Sequence, residues 1–185
     1  MTVKEILLAA ANELGVGEKV EAYLAGKSTD TEGETIAKAL LRCFNLVENE
    51  VALDYLPLLA EEELETEMGV VYYSALSREA ARVIGVWDEW GNSASFTLFP
   101  DYLKTQPQKV LVRYTYLPKE KSFDDESDFV LNASVRLFAY GVAAEYALAS
   151  GLFEEAALWE KKYKDAIKAA YSSKTVRRIR SRRWA

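Results

Sequence analysis

The chain has 185 residues, half of them hydrophobic, with 23 Lys and Arg against 29 Asp and Glu, a net charge of −6 and no histidine. That length predicts one domain or one domain with a small insertion, the charge argues against a general nucleic-acid binder, and no apolar run is long enough for a transmembrane helix. Without histidine no Ser-His-Asp or Cys-His pair can be built, nor a His-containing zinc site, and no Gly-rich phosphate loop of Walker or dinucleotide type is present.

Thr2-Val-Lys-Glu5 reads as a capping box opening a first helix. Val3, Ile6, Leu7, Ala10 and Leu14 keep helical spacing, and Gly15 closes it. The N-terminus lacks a basic segment followed by an apolar stretch, so no signal peptide is expected. A short second helix is predicted over 18–25, followed by a loop at 27–30. Thr31-Glu-Gly-Glu34 resembles another capping box. The stripe Ile36, Leu40, Phe44, Val47, Val51 and Tyr55 then predicts a long helix that Pro57 stops near Leu56. Its Cys43 is the single cysteine, which excludes an internal disulfide, fits a reducing compartment, and reads as a small buried hydrophobe.

Glu61, Glu62, Glu63, Glu65 and Glu67 crowd one short segment. They predict a solvated helix end or loop. The alternative is an acidic surface, lining a channel, that repels DNA or meets a basic tail. Beyond it the period changes. Val70–Tyr73, Ala81–Trp87, Ser95–Phe99 and Lys109–Tyr116 are β-branched, aromatic or alternating, with a turn at Gly91-Asn92. They predict a small antiparallel meander of three or four strands. Tyr72, Tyr73, Trp87, Trp90, Tyr114 and Tyr116 are expected as sheet core or cross-strand pairs. A stacking platform for sugars or nucleic acid is disfavoured, because few basic residues interleave with them.

Phe123-Asp-Asp-Glu-Ser-Asp128 predicts a helix start, its acids suiting the positive end of the dipole. A metal site built from Asp124, Asp125, Glu126 and Asp128 is the lesser alternative. The helix is predicted to run to Ser150, apolar almost all round and hence buried among other helices or between subunits. Gly151 breaks it. A final helix places Phe153, Ala156, Trp159, Tyr163, Ile167 and Ala170 inward and Lys161, Lys162, Lys164 and Lys168 outward, giving a helical hairpin.

The last twelve residues carry Lys174, Arg177, Arg178, Arg180, Arg182 and Arg183, with no acid and with Trp184 next to the end. Six of the 23 cations lie there, which leaves 17 against 29 acids, so the tail is about +6 and the body about −12. The bias to Arg favours planar, bidentate contacts to carboxylate or phosphate. An indole at the end gains most from a pocket to enter.

Together these features predict a mainly α (α+β) fold: a helical bundle with an inserted small antiparallel β meander and an extended basic C-terminal arm. Residues 1–68 and 119–173 would form the bundle, 69–118 the insertion and 174–185 the arm. The stretch Ala139-Tyr-Gly-Val-Ala-Ala-Glu-Tyr146, continuing through Gly151-Leu-Phe-Glu-Glu-Ala156 and Trp159 to Ala166, and then Arg177–Trp184, resembles the head–tail adaptor (connector) proteins of tailed bacteriophages. The likeness is best over the last 60 or so residues. It implies a non-enzymatic neck component of the virion, assembled in the bacterial host cytoplasm, with no catalytic residue, metal or other cofactor and no membrane contact. It further implies a homo-oligomeric ring, dodecameric in that family, joining the portal protein to the next neck (stopper) or tail protein, with genomic DNA passing through unbound. Portal contact then falls to Arg177, Arg178, Arg180, Arg182, Arg183 and Trp184. The β insertion departs from the smaller, mostly helical members of that family. A DNA-binding accessory protein that lays the same arm on phosphate is the alternative.

Overall fold

The structure, a computed structural model, describes residues 1–27, 31–129 and 133–174. Its contacts divide the chain into two compact units, Met1–Glu48 with Glu120–Ala185, and Asn49–Lys119.

In the first unit, α1 (Val3–Glu13) opens on the expected capping box. Thr2 Oγ1 accepts from the Glu5 N–H at 3.3 Å, and Glu5 Oε2 accepts from the Thr2 N–H at 2.9 Å. After α2 (Gly17–Leu24) comes α3 (Thr31–Glu50), whose buried Ile36, Ala37, Leu40, Cys43, Phe44 and Val47 follow helical spacing. The second capping box is not formed. Thr31 already lies inside α3 and its carbonyl accepts from Thr35 Oγ1, while Glu34 pairs with Lys38 one turn on.

The acids of 123–128 do not start a helix. The α4 helix begins only at Val135, capped by Ser134, and ends at Ala149. Residues 121–129 instead form a strap. It is tied to the N-terminus by Val3 N–H to the Asp125 carbonyl (3.0 Å) and Ser127 N–H to the Met1 carbonyl (3.1 Å). It is tied to α3 by Asn45, whose amide donates to the Lys121 carbonyl and accepts from the Lys121 N–H. Hydrogen bonds from Ser122, foremost its backbone N–H, hold the Asp125 carboxyl below its usual range, so this acid caps the strap's own turn. Val130 and Leu131, expected in the apolar helix, lie outside the described residues.

Helix α4 is buried on most sides, with Leu137, Phe138, Ala139, Val142, Ala143 and Ala147 all inside. Phe138 meets Phe44 and Phe129 at ring separations of 5.8 and 5.4 Å. A Cβ added at Gly141 would lie 2.6 Å from Val47 and 3.0 Å from the Tyr163 ring, so this glycine lets three helices approach closely. The hairpin partner α5 (Phe153–Lys174) buries Ala156, Trp159, Tyr163 and Ile167 as expected. Phe153, expected inside, is 69% exposed: it is the first residue of α5, where the helix has not yet reached its packed face.

The second unit is where the predicted architecture fails. After α3 a π-helical turn (Val51–Tyr55) closes with Leu56 N–H on the Val51 carbonyl, just before Pro57. Six strands follow, not three or four: β1 (Leu58–Glu65), β2 (Val70–Tyr72), β3 (Ala80–Asp88), β4 (Phe96–Leu98), β5 (Tyr102–Thr105) and β6 (Lys109–Tyr116). They make two antiparallel three-stranded sheets, ordered β1-β6-β3 and β2-β5-β4, which is not a meander. The fold of the described residues is therefore α+β, with five α-helices and two sheets, rather than a helical bundle carrying a small insertion. Strand β6 alternates without a break. Val110, Val112, Tyr114 and Tyr116 face a core completed by Val71, Val86 and Leu103 from both sheets and by Leu76 from the loop between β2 and β3.

Candidate interaction surfaces

The six arm residues assigned to partner contact, Arg177, Arg178, Arg180, Arg182, Arg183 and Trp184, lie outside the described residues. Helix α5 delivers the chain to Lys174, where the basic segment starts.

Four of the five clustered acids sit on β1 and not in a helix end or loop. The strand survives its charge because alternation splits it between two faces. Leu58, Ala60, Glu62 and Leu64 turn inward, while Leu59, Glu61, Glu63 and Glu65 are exposed. Glu62 is the exception on an otherwise apolar face. Its carboxylate accepts from the Ser77 N–H (3.0 Å), from Ser77 Oγ (2.6 Å) and from the Tyr114 hydroxyl. Burial pushes this carboxyl up, but the Ser77 and Tyr114 hydrogen bonds outweigh it and hold it below its usual range. The Tyr114 hydroxyl is raised by burial and by donating to that carboxylate. Glu62 is thus a half-buried structural acid that ties β1 to β6 and to the loop before β3.

The exposed acids form a ladder. The register sets Glu61 opposite Arg113, Glu63 opposite Leu111 and Glu65 opposite Lys109. Glu61 pairs with Arg113, whose guanidinium also lies 4.8 Å above the Trp87 ring on β3. Glu65 reaches Lys109 at 3.5 Å. Glu63 has no paired cation among the described residues. An open groove of about 430 Å³ runs beside the ladder, lined among others by Glu63, Glu65, Asp88, Glu89 and Lys109. Asp88 spends its carboxylate on the turn that follows, accepting from the Trp90 and Asn92 N–H groups. Glu67 belongs to a tight turn. Its N–H and carbonyl exchange hydrogen bonds with Val70 across Met68 and Gly69, both at positive φ (52° and 77°).

The aromatic residues divide. Tyr114 and Tyr116 are core, and Tyr72 pairs across strands with Tyr102 at 5.9 Å. Trp87 lies half-buried beneath Arg113, and Tyr73, in a 3₁₀ turn, packs partly buried against the sheet core, whereas Trp90 is 77% exposed in the loop after β3 and is not sheet core. Phe99 stacks on Tyr102 at 4.6 Å, extending a surface aromatic cluster that the sequence reading did not single out. The clue was Phe99 and Tyr102 bracketing Pro100-Asp101, a turn signal joining two short strands.

Burial pushes the Cys43 thiol up to about 11, matching a small buried hydrophobe. Another buried titratable group went unrecognised. Glu48, at the end of the α3 stripe, is 1% exposed. Its Oε1 accepts from Ser127 Oγ at 2.6 Å and from the Asp128 N–H at 3.1 Å, while Oε2 has no partner among the described residues. Among the described residues no group of three or more His, Cys, Asp or Glu is placed to hold a metal ion, and no helix is long and apolar enough to cross a membrane. The quartet Asp124, Asp125, Glu126 and Asp128 does not cap α4 either: Asp124 pairs with Lys4, Asp128 with Lys121, and Glu126 bridges to Thr2.

Compared with family models and with curated proteins, the chain matches none.

Proposed function

We propose that this chain is a structural head–tail adaptor of a phage neck. It assembles as a ring, twelve-fold by the resemblance, docks on the portal protein, and links it to the next neck (stopper) or tail protein around the DNA channel. Its place is the virion, after assembly in the host cytoplasm, and it performs no catalysis. The observation that carries this reading is the hairpin. Residues 139–166 of the resemblance lie in α4, α5 and the turn between them, and the second helix runs to Lys174, where the arginine arm begins. A packed helix fixes one end of a short cationic segment, which lowers the freedom that segment loses when its guanidiniums pair with acids on a partner. Where nothing cationic covers them, the exposed Glu61, Glu63 and Glu65 fit the same role, because carboxylates facing a channel repel phosphate and let DNA slide.

Deleting residues 174–185 tests the assignment. The truncated chain should keep its helical circular dichroism and lose co-sedimentation with the cognate portal, and negative-stain micrographs of the full chain with portal should show an added ring. Normal attachment of the truncated chain refutes the docking role. Binding of the full chain to duplex DNA, lost with the arm and falling steeply with salt, would favour the accessory DNA-binding protein instead.

A further inference from the structure

We propose that the arm of a second copy of this chain, residues 174–185, adds to the outer side of β1 as an extra strand, with Arg180 at Glu63 and Arg178 and Arg182 at the flanking Glu61 and Glu65. Strand β1 is an edge: β6 pairs with it, and no other described strand does. An edge strand offers a row of backbone donors and acceptors to an extended segment. On its exposed face the carboxylates of Glu61, Glu63 and Glu65 recur every second residue, about 6.8 Å apart on a strand. The arm carries arginine at 178, 180 and 182, the same two-residue period. An extended arm therefore presents three guanidiniums on one face, in step with three carboxylates, and directly opposed opposite charges are the favourable cross-strand pairs.

Charge supports the same occupant. Glu63 has no paired cation among the described residues. Lys109 and Arg113 hold Glu65 and Glu61 only in exposed pairs, which exchange partners cheaply. We place the arm on a second copy because donation of a terminal segment is a head-to-tail contact, the kind that closes a ring or extends a filament. The contact involves this chain alone. Crosslinks between copies are read without portal present, so the test separates this contact from the docking role.

The test uses the full-length chain with a photoreactive phenylalanine analogue in place of Ile179, prepared in light and heavy isotopic forms and mixed. Irradiation should give light–heavy crosslinks that map within residues 58–65 and fall at least about fivefold near 0.5 M salt, where screening is short-ranged. Combined Glu61→Gln, Glu63→Gln and Glu65→Gln should cause a similar fall, and so should combined Arg178→Gln, Arg180→Gln and Arg182→Gln. The out-of-phase pair Arg177→Gln and Arg183→Gln should change the yield by less than about twofold, since those side chains point away from the ladder. Crosslinks landing outside 58–65, crosslinks confined to single copies, or equal losses from the two arginine sets would each overturn the proposal. The arginine variants leave β1 unaltered, so they decide the matter even if the glutamate variant fails to fold.

Discussion

Glu48→Gln should make the protein more stable at neutral pH, and the gain should vanish in acid. Glu48 is 1% exposed; one carboxylate oxygen takes two hydrogen bonds from the strap and the other takes none from the described residues. Burial pushes its pKa up, and this outweighs the opposing pull of the Ser127 and Asp128 hydrogen bonds and of the Lys121 charge, while the Asp128 charge pushes the same way as burial. A raised folded-state pKa means that the site favours the neutral acid more than water does. The stability this group contributes is therefore fullest below the unfolded value of 4.5 and is lost as pH rises through the folded-state value. Glutamine keeps the shape and the accepting oxygen and cannot ionise. It should recover roughly 1 kcal/mol at pH 7.5, the lower end of what an ill-satisfied buried polar group costs. For a chain of this length that raises Tm by about 2–4 °C. Below pH 4 the wild-type acid is itself protonated, and the two proteins should unfold together.

Glu48→Ala serves as the opposite perturbation. It strands the Ser127 hydroxyl and the Asp128 N–H and opens a cavity, at a cost of about 2–4 kcal/mol at either pH. Urea unfolding followed by circular dichroism at pH 4 and pH 7.5 measures all three proteins. A Glu48→Gln protein less stable than wild type at pH 7.5, or equally shifted at both pH values, would refute the reasoning. The first outcome would mean that the Lys121 charge, paired with Asp128 at 2.9 Å, governs this carboxylate; the second would mean that its ionisation does not set the difference.

Two further substitutions probe backbone and packing. Met68→Asn should stabilise the β1–β2 turn by about 0.5–1 kcal/mol in the same urea assay, because Met68 sits at φ 52° and is 99% exposed, so asparagine relieves left-handed strain and removes no contact. Its neighbour allows no such exchange: Gly69→Ala should destabilise by more than this, since the added Cβ would fall 2.4 Å from the Thr105 carbonyl oxygen. Gly141→Val should cost at least about 1–3 kcal/mol and broaden the near-ultraviolet aromatic signal, as α4 is pushed off Val47 and Tyr163.

How far the chain could be read from its residues depended on whether local pattern and tertiary need agreed. They agreed in α1, where Thr2 and Glu5 stand at the capping spacing, and in α5, where Ala156, Trp159, Tyr163 and Ile167 repeat at helical intervals. They disagreed in β1. Five acids hid an alternation that only the partner strand explains, because Glu62 is tolerable inside solely through Ser77 and Tyr114, the latter 52 residues away. The 123–128 acids misled in the reverse sense. Their spacing suits a helix start, yet the strap's bonds to Met1, Val3, Asn45 and Glu48 prefer an extended path, and such long-range partners leave no local trace. The acid cluster itself was legible as charge. Its division into an inward glutamate and an outward ladder was not, since that division follows from strand register.

The two proposed uses of the arm compete for the same arginines, and this has a measurable consequence. An arm held on β1 of a second copy is unavailable to the portal, so the apparent portal affinity falls by the fraction of arms left free. Removing the ladder by Glu61→Gln, Glu63→Gln and Glu65→Gln should then tighten portal binding, although none of these residues is assigned to the portal contact. If nine arms in ten are engaged, the gain is about tenfold in Kd. The effect should shrink as protein concentration falls, because a contact between copies dissociates on dilution while an arm–portal contact at fixed portal excess does not. A ladder variant that binds portal more weakly than wild type at every concentration would show that the acids of β1 serve the neck assembly directly, and that the arm is never sequestered.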